Sequence, residues 1–244
     1  MRTRQLKRPA FYALAPGGWR DLVTLLHPPY TAWHLSYVAI GAAAAPTMRA
    51  DRLAAALGAF FLAVGVCAHA LDELNGRPLR TQLSDRALVA LAAAGLGGAL
   101  AIGVAGVVTV SATLAPFVAV GGFIVVAYNL ELFGGRFHSD FWFAATWGAF
   151  PAFTGYWASA LQLRAPGVLV TGACFALSVA QRRLSTPARE LRRRTAAVRG
   201  EQRLADGRVV ELTVARLAEP LDGALSALSL AVVLLAGGLV ILRL

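Results

Sequence analysis

Apolar residues along this chain fall into long runs separated by short charged connections. The runs lie at roughly 31–46, 53–74, 85–104, 109–133, 140–162, 166–183 and 222–242. Most approach the ~20 apolar residues that carry an α-helix across a bilayer core. The pattern predicts an all-α fold: a polytopic transmembrane helical bundle of about seven spans. The third run, "ALVALAAAGLGGALAIGVAG", is dense in Ala and Gly. Small residues let helix backbones approach closely, which predicts a place for it in the bundle centre. Pro116 and Pro151 fall inside runs and predict kinks. Cys67 and Cys174 also lie inside runs, as expected of buried small hydrophobes rather than a disulfide or a metal pair.

Composition agrees. Hydrophobic residues make up 57% of the 244 and charged residues only 15%, too apolar a balance for a soluble domain of this length. The opening "MRTRQLKRPAFYALAPGGWRDL" is basic but has no continuous apolar core and no small-residue cleavage site, so it does not read as a cleaved signal peptide. The expected organisation is a basic N-terminal segment over 1–30, a six-span core over 31–183, a basic loop over 184–221 and a final span over 222–244.

The net charge of +10 is carried almost wholly by arginine, and its distribution is uneven. Arg2, Arg4, Lys7, Arg8, Arg20, Arg77, Arg80, Arg86, Arg136 and the arginines from Arg182 to Arg216 fall on one side of the predicted topology. Only Arg49, Arg52, Arg164 and Arg243 fall on the other. The positive-inside rule then places the N-terminus in the cytoplasm and the C-terminus outside, in what is expected to be the cell membrane. Topology accounts for the basic excess, so the expected partner is the lipid bilayer and no nucleic acid is called for. Within 184–221, "STPARELRRRTAAVR" predicts a short basic helix starting near Pro187, and Asp206-Gly207 predicts a hairpin turn. Two roles stay open for this loop: a solvated cap on anionic lipid, or direct substrate binding.

Polar groups gather at the predicted inner ends of the spans. Span two ends in His69, Asp72, Glu73 and Asn75; span four in Tyr128, Asn129 and Glu131; span six in Gln181, Arg182 and Arg183. Span five begins after Arg136, His138 and Asp140. Intramembrane ionisable residues are costly and by default point to function. His69, Asp72 and Glu73 can share one helix face through i,i+3 and i,i+4 spacing. Asp72 and Glu73, with Asn75 beside them, offer hard oxygen ligands suited to Mg²⁺, and Arg77 and Arg80 follow with bidentate donors for phosphate. The competing reading pairs those carboxylates with those arginines at the membrane surface. Span five adds Trp142, Phe143, Trp147, Phe150, Phe153, Tyr156 and Trp157, which either line a cavity for an isoprenoid tail and an allylic cation or are ordinary packing aromatics. His34 reads as a hydrogen-bonded core histidine, and His27 as solvent-exposed just outside the membrane.

Three stretches resemble the UbiA superfamily of intramembrane prenyltransferases. "HPPYTAWHLSYVAIGAAAAP" is similar to that family's first helix. "AHALDELNGRPLRTQLSDRAL" occupies the place of its Asn-x-x-Asn-Asp-x-x-x-Asp motif and the following RPL tail, and "WGAFPAFTGYW" is similar to its fifth helix. The likeness runs from about residue 27 to 183. It implies Mg²⁺-dependent transfer of a prenyl group from an isoprenoid diphosphate. By position it implies a metal site at Asp72 and Glu73 assisted by Asn75, and substrate contacts from Arg77, Arg80, Tyr128, Asn129, Trp147, Arg182 and Arg183.

The chain also departs from that pattern. His69 and Asp72 replace the two asparagines, Glu73 stands for the first aspartate, and the last aspartate is missing. The second motif, "VAQRRLSTPARELRRR", has no aspartate, and the family usually has nine spans. One resolution is a single metal on Asp72 and Glu73, with Arg182, Arg183 and Arg189 binding the diphosphate directly. Another is a metal-dependent membrane enzyme of a different reaction class, in which His69, Glu73, Glu131, His138 and Asp140 hold iron or zinc. A third is a non-catalytic lipid-binding protein.

Overall fold

A computed structural model of the chain describes residues 8–244, so Arg2, Arg4 and Lys7 lie outside the described residues. A short helix α1 (Trp19–Leu25) leads into α2 (Pro28–Ala43), α3 (Ala50–Leu74), α4 (Asp85–Thr109) and α5 (Ala112–Asn129). Next comes α6, which joins Asp140–Ala144, a π-helical turn at Ala145–Ala149 and Phe150–Ala160; then α7 (Ala165–Arg193), a hairpin of β1 (Glu201–Arg203) and β2 (Val209–Glu211), and α8 (Val214–Ile241). Local chemistry sets several starts. Ser84, Ser139 and Thr213 cap α4, α6 and α8 by accepting from the amides of Ala87, Trp142 and Arg216. Prolines sit in the first turns of α2 and α7. The hairpin turns at Asp206-Gly207 as expected, with Gly207 in the left-handed region.

The fold is an all-α membrane bundle. Four helices are long and apolar enough to cross a bilayer: α3, α4, α5 and α8. Helix α2 spans only 16 residues, and α7 combines an apolar first half with an arginine-rich second half. Successive long helices reverse direction, so the arginine-rich connections meet at one end. At the other end Arg243 donates to the carbonyls of Ala43 and Ala45, and Arg52 donates to that of Ala158.

Packing at the centre differs from the expectation. The Ala/Gly-rich helix α4 is peripheral. Val89, Val104 and Val108 are exposed along it, and only Leu88, Ala92 and Gly95 are buried. Helices α2 and α6 approach each other backbone to backbone. A Cβ on Gly41 would stand 1.9 Å from the Ala152 carbonyl oxygen, and one on Gly155 would stand 2.1 Å from that of Val38. Small residues matter where two particular positions face each other, not where they are most abundant.

Helix breakers also act differently. Pro116 sits near the start of α5, in the first α-helical turn after a 3-10 turn at Ala112–Leu114, and not in the middle of a span. Pro151 follows the π turn of α6, so the distortion is absorbed as one wide turn. Pro187 does not end a helix at all. Expected span six and the expected short basic helix are one element, α7, of 29 residues. A mid-helix proline costs about 3 kcal/mol in isolation. Here the second half of α7 is held by tertiary contacts: Ser185 and Ala188 are buried, Arg192 pairs with Asp222 of α8, and Arg193 donates to the Pro9 carbonyl at 3.0 Å. The described part of 1–30 packs on the core in the same way. Ala10 and Ala13 cluster with Leu79, and the Leu14 amide donates to Thr24 Oγ1.

Candidate functional site

A cavity of about 480 Å³ opens inside the arginine-rich end. Its walls come from the segment before α1, the start of α2, the end of α3, the end of α5, the start of α6 and the second half of α7. Stretches far apart in the sequence therefore share one space, because the helix reversals bring their ends together.

From α3 the cavity receives His69 and Asp72, just beyond the π-helical stretch Phe61–Ala68. The His69 Nδ1 hydrogen donates to the Gly65 carbonyl at 3.2 Å, leaving Nε2 as an acceptor. From α2 come Tyr30 and His34; His34 Nδ1 donates at 2.7 Å to the carbonyl of Trp147, inside the π turn of α6. The expectation of a hydrogen-bonded His34 agrees with this. His27 departs from its expectation: it is only 8% exposed, stacks on His69 with ring centroids 4.0 Å apart, and has Nδ1 2.8 Å from the Tyr12 hydroxyl. Tyr128 presents its ring edge-on to Trp147 at 5.4 Å and stacks on His138 at 4.5 Å. Asn129 is buried beside them, and Glu131 lies on the exposed rim 3.8 Å from His138.

The opposite wall is an arginine face. Arg182, Ser185, Arg189 and Arg193 recur at three- and four-residue spacing on α7 and all line the cavity. Arg182 bonds Asp140 at 2.8 Å and lies 5.2 Å from the centre of the Phe143 ring. Arg189 donates to Thr186 Oγ1 at 3.3 Å. Burial, together with the guanidinium groups of Arg182 and Arg193, lowers the pKa of Arg189. A half-buried guanidinium held among like charges is electrostatically primed for an anion.

A second cavity, of about 430 Å³, lies between α3, α4, α5 and α6. Its wall is mostly carbon, from residues such as Phe60, Leu96, Leu100, Phe117, Val118 and Phe150. Val64 and Trp147 line both cavities, so the polar space and the apolar chamber share a wall. The chamber follows α3 from Val64 back to Asp51, a length of about 20 Å at 1.5 Å per residue.

Of the expected site residues, His69, Asp72, Tyr128, Asn129, Glu131, His138, Trp147 and Arg182 meet in the polar cavity. Arg189, expected as a diphosphate ligand, lines it too; Glu73, Asn75, Arg77, Arg80, Arg183 and Asp140 do not. Glu73 is 1% exposed and holds the following loop: Oε2 accepts from the Leu79 amide at 2.9 Å, and Oε1 accepts from the Thr81 amide at 2.8 Å and the Thr81 hydroxyl at 2.9 Å. Asn75 donates to the Asn129 carbonyl. Arg77 pairs with Asp85 and donates to the carbonyls of Thr81 and Leu83. Arg80 and Arg183 are exposed, and Asp140 is occupied by Arg182 on the surface. Tyr12, His27, Tyr30, Gln181 and Arg193 are cavity residues that the sequence reading did not assign.

Among the described residues no three His, Cys, Asp or Glu groups are placed to hold a metal ion. The oxygens of Glu73 are committed to the loop, so Asp72 lacks its expected partner. Of the alternative iron or zinc set, His69 and His138 line the cavity, Glu131 lies on its rim, Glu73 holds the loop and Asp140 pairs with Arg182 at the surface. Positive charge in this cavity is supplied by arginine. Comparison of the chain with protein-family models, with curated proteins and with solved structures finds no match.

Proposed function

We propose that this integral membrane protein is a divergent UbiA-like prenyltransferase that takes an isoprenoid diphosphate at its cytoplasmic end, with all seven long helices crossing the bilayer. One observation carries the reading: an arginine face and an apolar chamber meet at Trp147 and Val64. A ligand with a strongly anionic head and a long hydrocarbon tail matches both halves. Arg182, Arg189 and Arg193 bind the diphosphate and take up the charge that grows as the C–O bond breaks. The tail lies in the chamber. Trp147, Tyr128 and Phe143 surround the junction, where an allylic cation would be stabilised by aromatic faces. Neutralisation by guanidinium takes the place of the second aspartate motif that this chain lacks.

The test is binding and turnover of the full chain in lipid nanodiscs. Geranyl, farnesyl and geranylgeranyl diphosphate should each bind more tightly than the matching alcohol. Arg189→Gln should weaken that binding about tenfold to a hundredfold, the worth of a charge-assisted hydrogen bond. Release of inorganic diphosphate, with and without EDTA, reads the chemistry. Equal binding of diphosphate and alcohol would refute the reading. Tight binding with no release from any of the three would leave a lipid-binding protein in its place.

A further inference from the structure

We propose that His27 binds and deprotonates the second substrate, a nucleophile bearing an O–H group, in a subsite beside Tyr12, Tyr30 and His69. The inference rests on the prenyl-transfer reading above, and its test separates the two.

Three independent features converge on His27. The first is backbone. His27 precedes Pro28, where extended conformation is the rule, yet it is left-handed at φ 46°, ψ 57°. A non-glycine residue in that region is uncommon, and such strain collects at functional sites. The second is its ring environment. One face stacks on His69, with rings 9° from parallel, and Nδ1 meets the Tyr12 hydroxyl. The ring is therefore held by two separate contacts. The third is Nε2, which is buried and has no hydrogen-bond partner among the described residues. A buried polar atom without a partner costs about 1–3 kcal/mol, and here it belongs to a residue lining the ligand cavity. Gln181 Oε1, on the same cavity, is also buried without a partner. Two buried, unpartnered polar atoms in one polar space fit a ligand that hydrogen-bonds to both.

The chemistry is consistent. In the tautomer that this role requires, Nδ1–H donates to the Tyr12 hydroxyl and Nε2 carries the lone pair. Burial, then the nearby His69, Arg193 and Arg189, keep the imidazole neutral by lowering its pKa well below the usual histidine value. A weak base suffices, because an O–H oxygen that has attacked an allylic cation is strongly acidic. In the full step the C–O bond to diphosphate breaks and its electron pair leaves with the diphosphate. The nucleophile's oxygen lone pair forms the new C–O bond. The O–H proton passes to His27 Nε2 and then to the departing diphosphate, which restores the neutral ring.

The experiment uses the full chain in nanodiscs with geranylgeranyl diphosphate, and its non-reactive S-thiolo analogue for binding. Water, methanol and phenol serve in turn as nucleophile. Product is identified by mass spectrometry: geranylgeraniol means water, and an ether means the added alcohol or phenol. His27→Asn keeps a side chain tolerant of left-handed backbone, and His27→Gly leaves room for added imidazole. Analogue binding should stay within twofold of wild type in both variants. Product formation should fall about 100-fold or more, and imidazole should restore it in His27→Gly but not in His27→Asn. Product formation within threefold of wild type in His27→Asn, with binding intact, overturns the role of His27 alone. So does loss of binding in both variants without rescue, which would mark a structural residue, and so does wild type that binds the analogue but makes no product from any nucleophile. Wild type that does not bind the analogue removes the prenyl-transfer reading, and this inference with it.

Discussion

Glu73 separates a structural carboxylate from a catalytic one, and the structure makes the difference measurable. Its two oxygens accept three hydrogen bonds from residues 79–81, all buried. In Glu73→Gln the most favourable amide orientation keeps both Thr81 bonds on the remaining oxygen and turns NH₂ toward the Leu79 amide. One buried N–H then faces another donor, a penalty of about 1–3 kcal/mol, and the two surviving bonds lose their charge assistance, worth roughly 1 kcal/mol more. The loop should open more easily by about 2–4 kcal/mol. Native-state hydrogen exchange at the Leu79 and Thr81 amides reads this directly. With each 1.4 kcal/mol a factor of ten, exchange should speed up roughly 30- to 1000-fold. In the wild-type protein EDTA should leave that protection unchanged. Exchange within threefold of wild type in the variant, or wild-type protection that collapses on chelation, would refute the reasoning and return Glu73 to the role of a metal ligand.

Other expectations follow from the packing and the cavity. Thr81→Val removes one hydroxyl donor to Glu73 and should accelerate exchange at the Thr81 amide about 5- to 30-fold, short of the Glu73→Gln effect. Gly155→Ala places a methyl group against the Val38 carbonyl and should destabilise the α2–α6 contact by about 1–3 kcal/mol or block folding, seen as a lower melting temperature in detergent; an unchanged melting temperature would mean that these helices are not in backbone contact. Acidification tests His27, which faces Tyr12, His69, His34, Arg189 and Arg193. Its folded pKa lies below that of the unfolded chain, so the unfolded state binds the proton first. Stability is complete above about pH 6.5 and declines as the pH falls below that value. The fall in melting temperature between pH 7.5 and 5.5 should be smaller in His27→Asn than in wild type.

The all-α class and most helix limits were legible in the sequence because a bilayer demands long apolar runs, and such runs survive any tertiary arrangement. The hairpin at Asp206-Gly207 was legible because its turn chemistry is local. Position within the bundle was not. The composition of α4 matched a buried helix, but its close approaches are confined to Gly95 and Gly98 against Leu62 and Gly103 against Val118, while the tightest contacts come from Gly41 and Gly155. Half of the site was legible as polar residues at span ends, which place His69, Asp72, Tyr128 and Arg182 in the cavity. Glu73 was misleading because its partners are backbone amides six and eight residues ahead, which no side-chain pattern displays. Arg193 joins the cavity because α7 runs on through Pro187, where the sequence predicts the end of a span at 183 and a separate helix starting near Pro187. The spacing of Arg182, Arg189 and Arg193 was the signal, and it becomes a face only if the helix continues. His27 and Tyr12 carried no signal, since one precedes a proline and the other lies in a segment without periodicity.

Helix α4 lines one side of the apolar chamber with Leu96, Ala99, Leu100, Ile102 and Gly103 and exposes Val104 and Val108 on its outer side. If the protein takes the long-tailed lipid proposed above, that guest can reach the chamber from the leaflet without passing through water. For such a guest the relevant concentration is moles per mole of lipid, so diluting the same nanodisc sample with buffer should leave occupancy unchanged, whereas enlarging the disc should lower it.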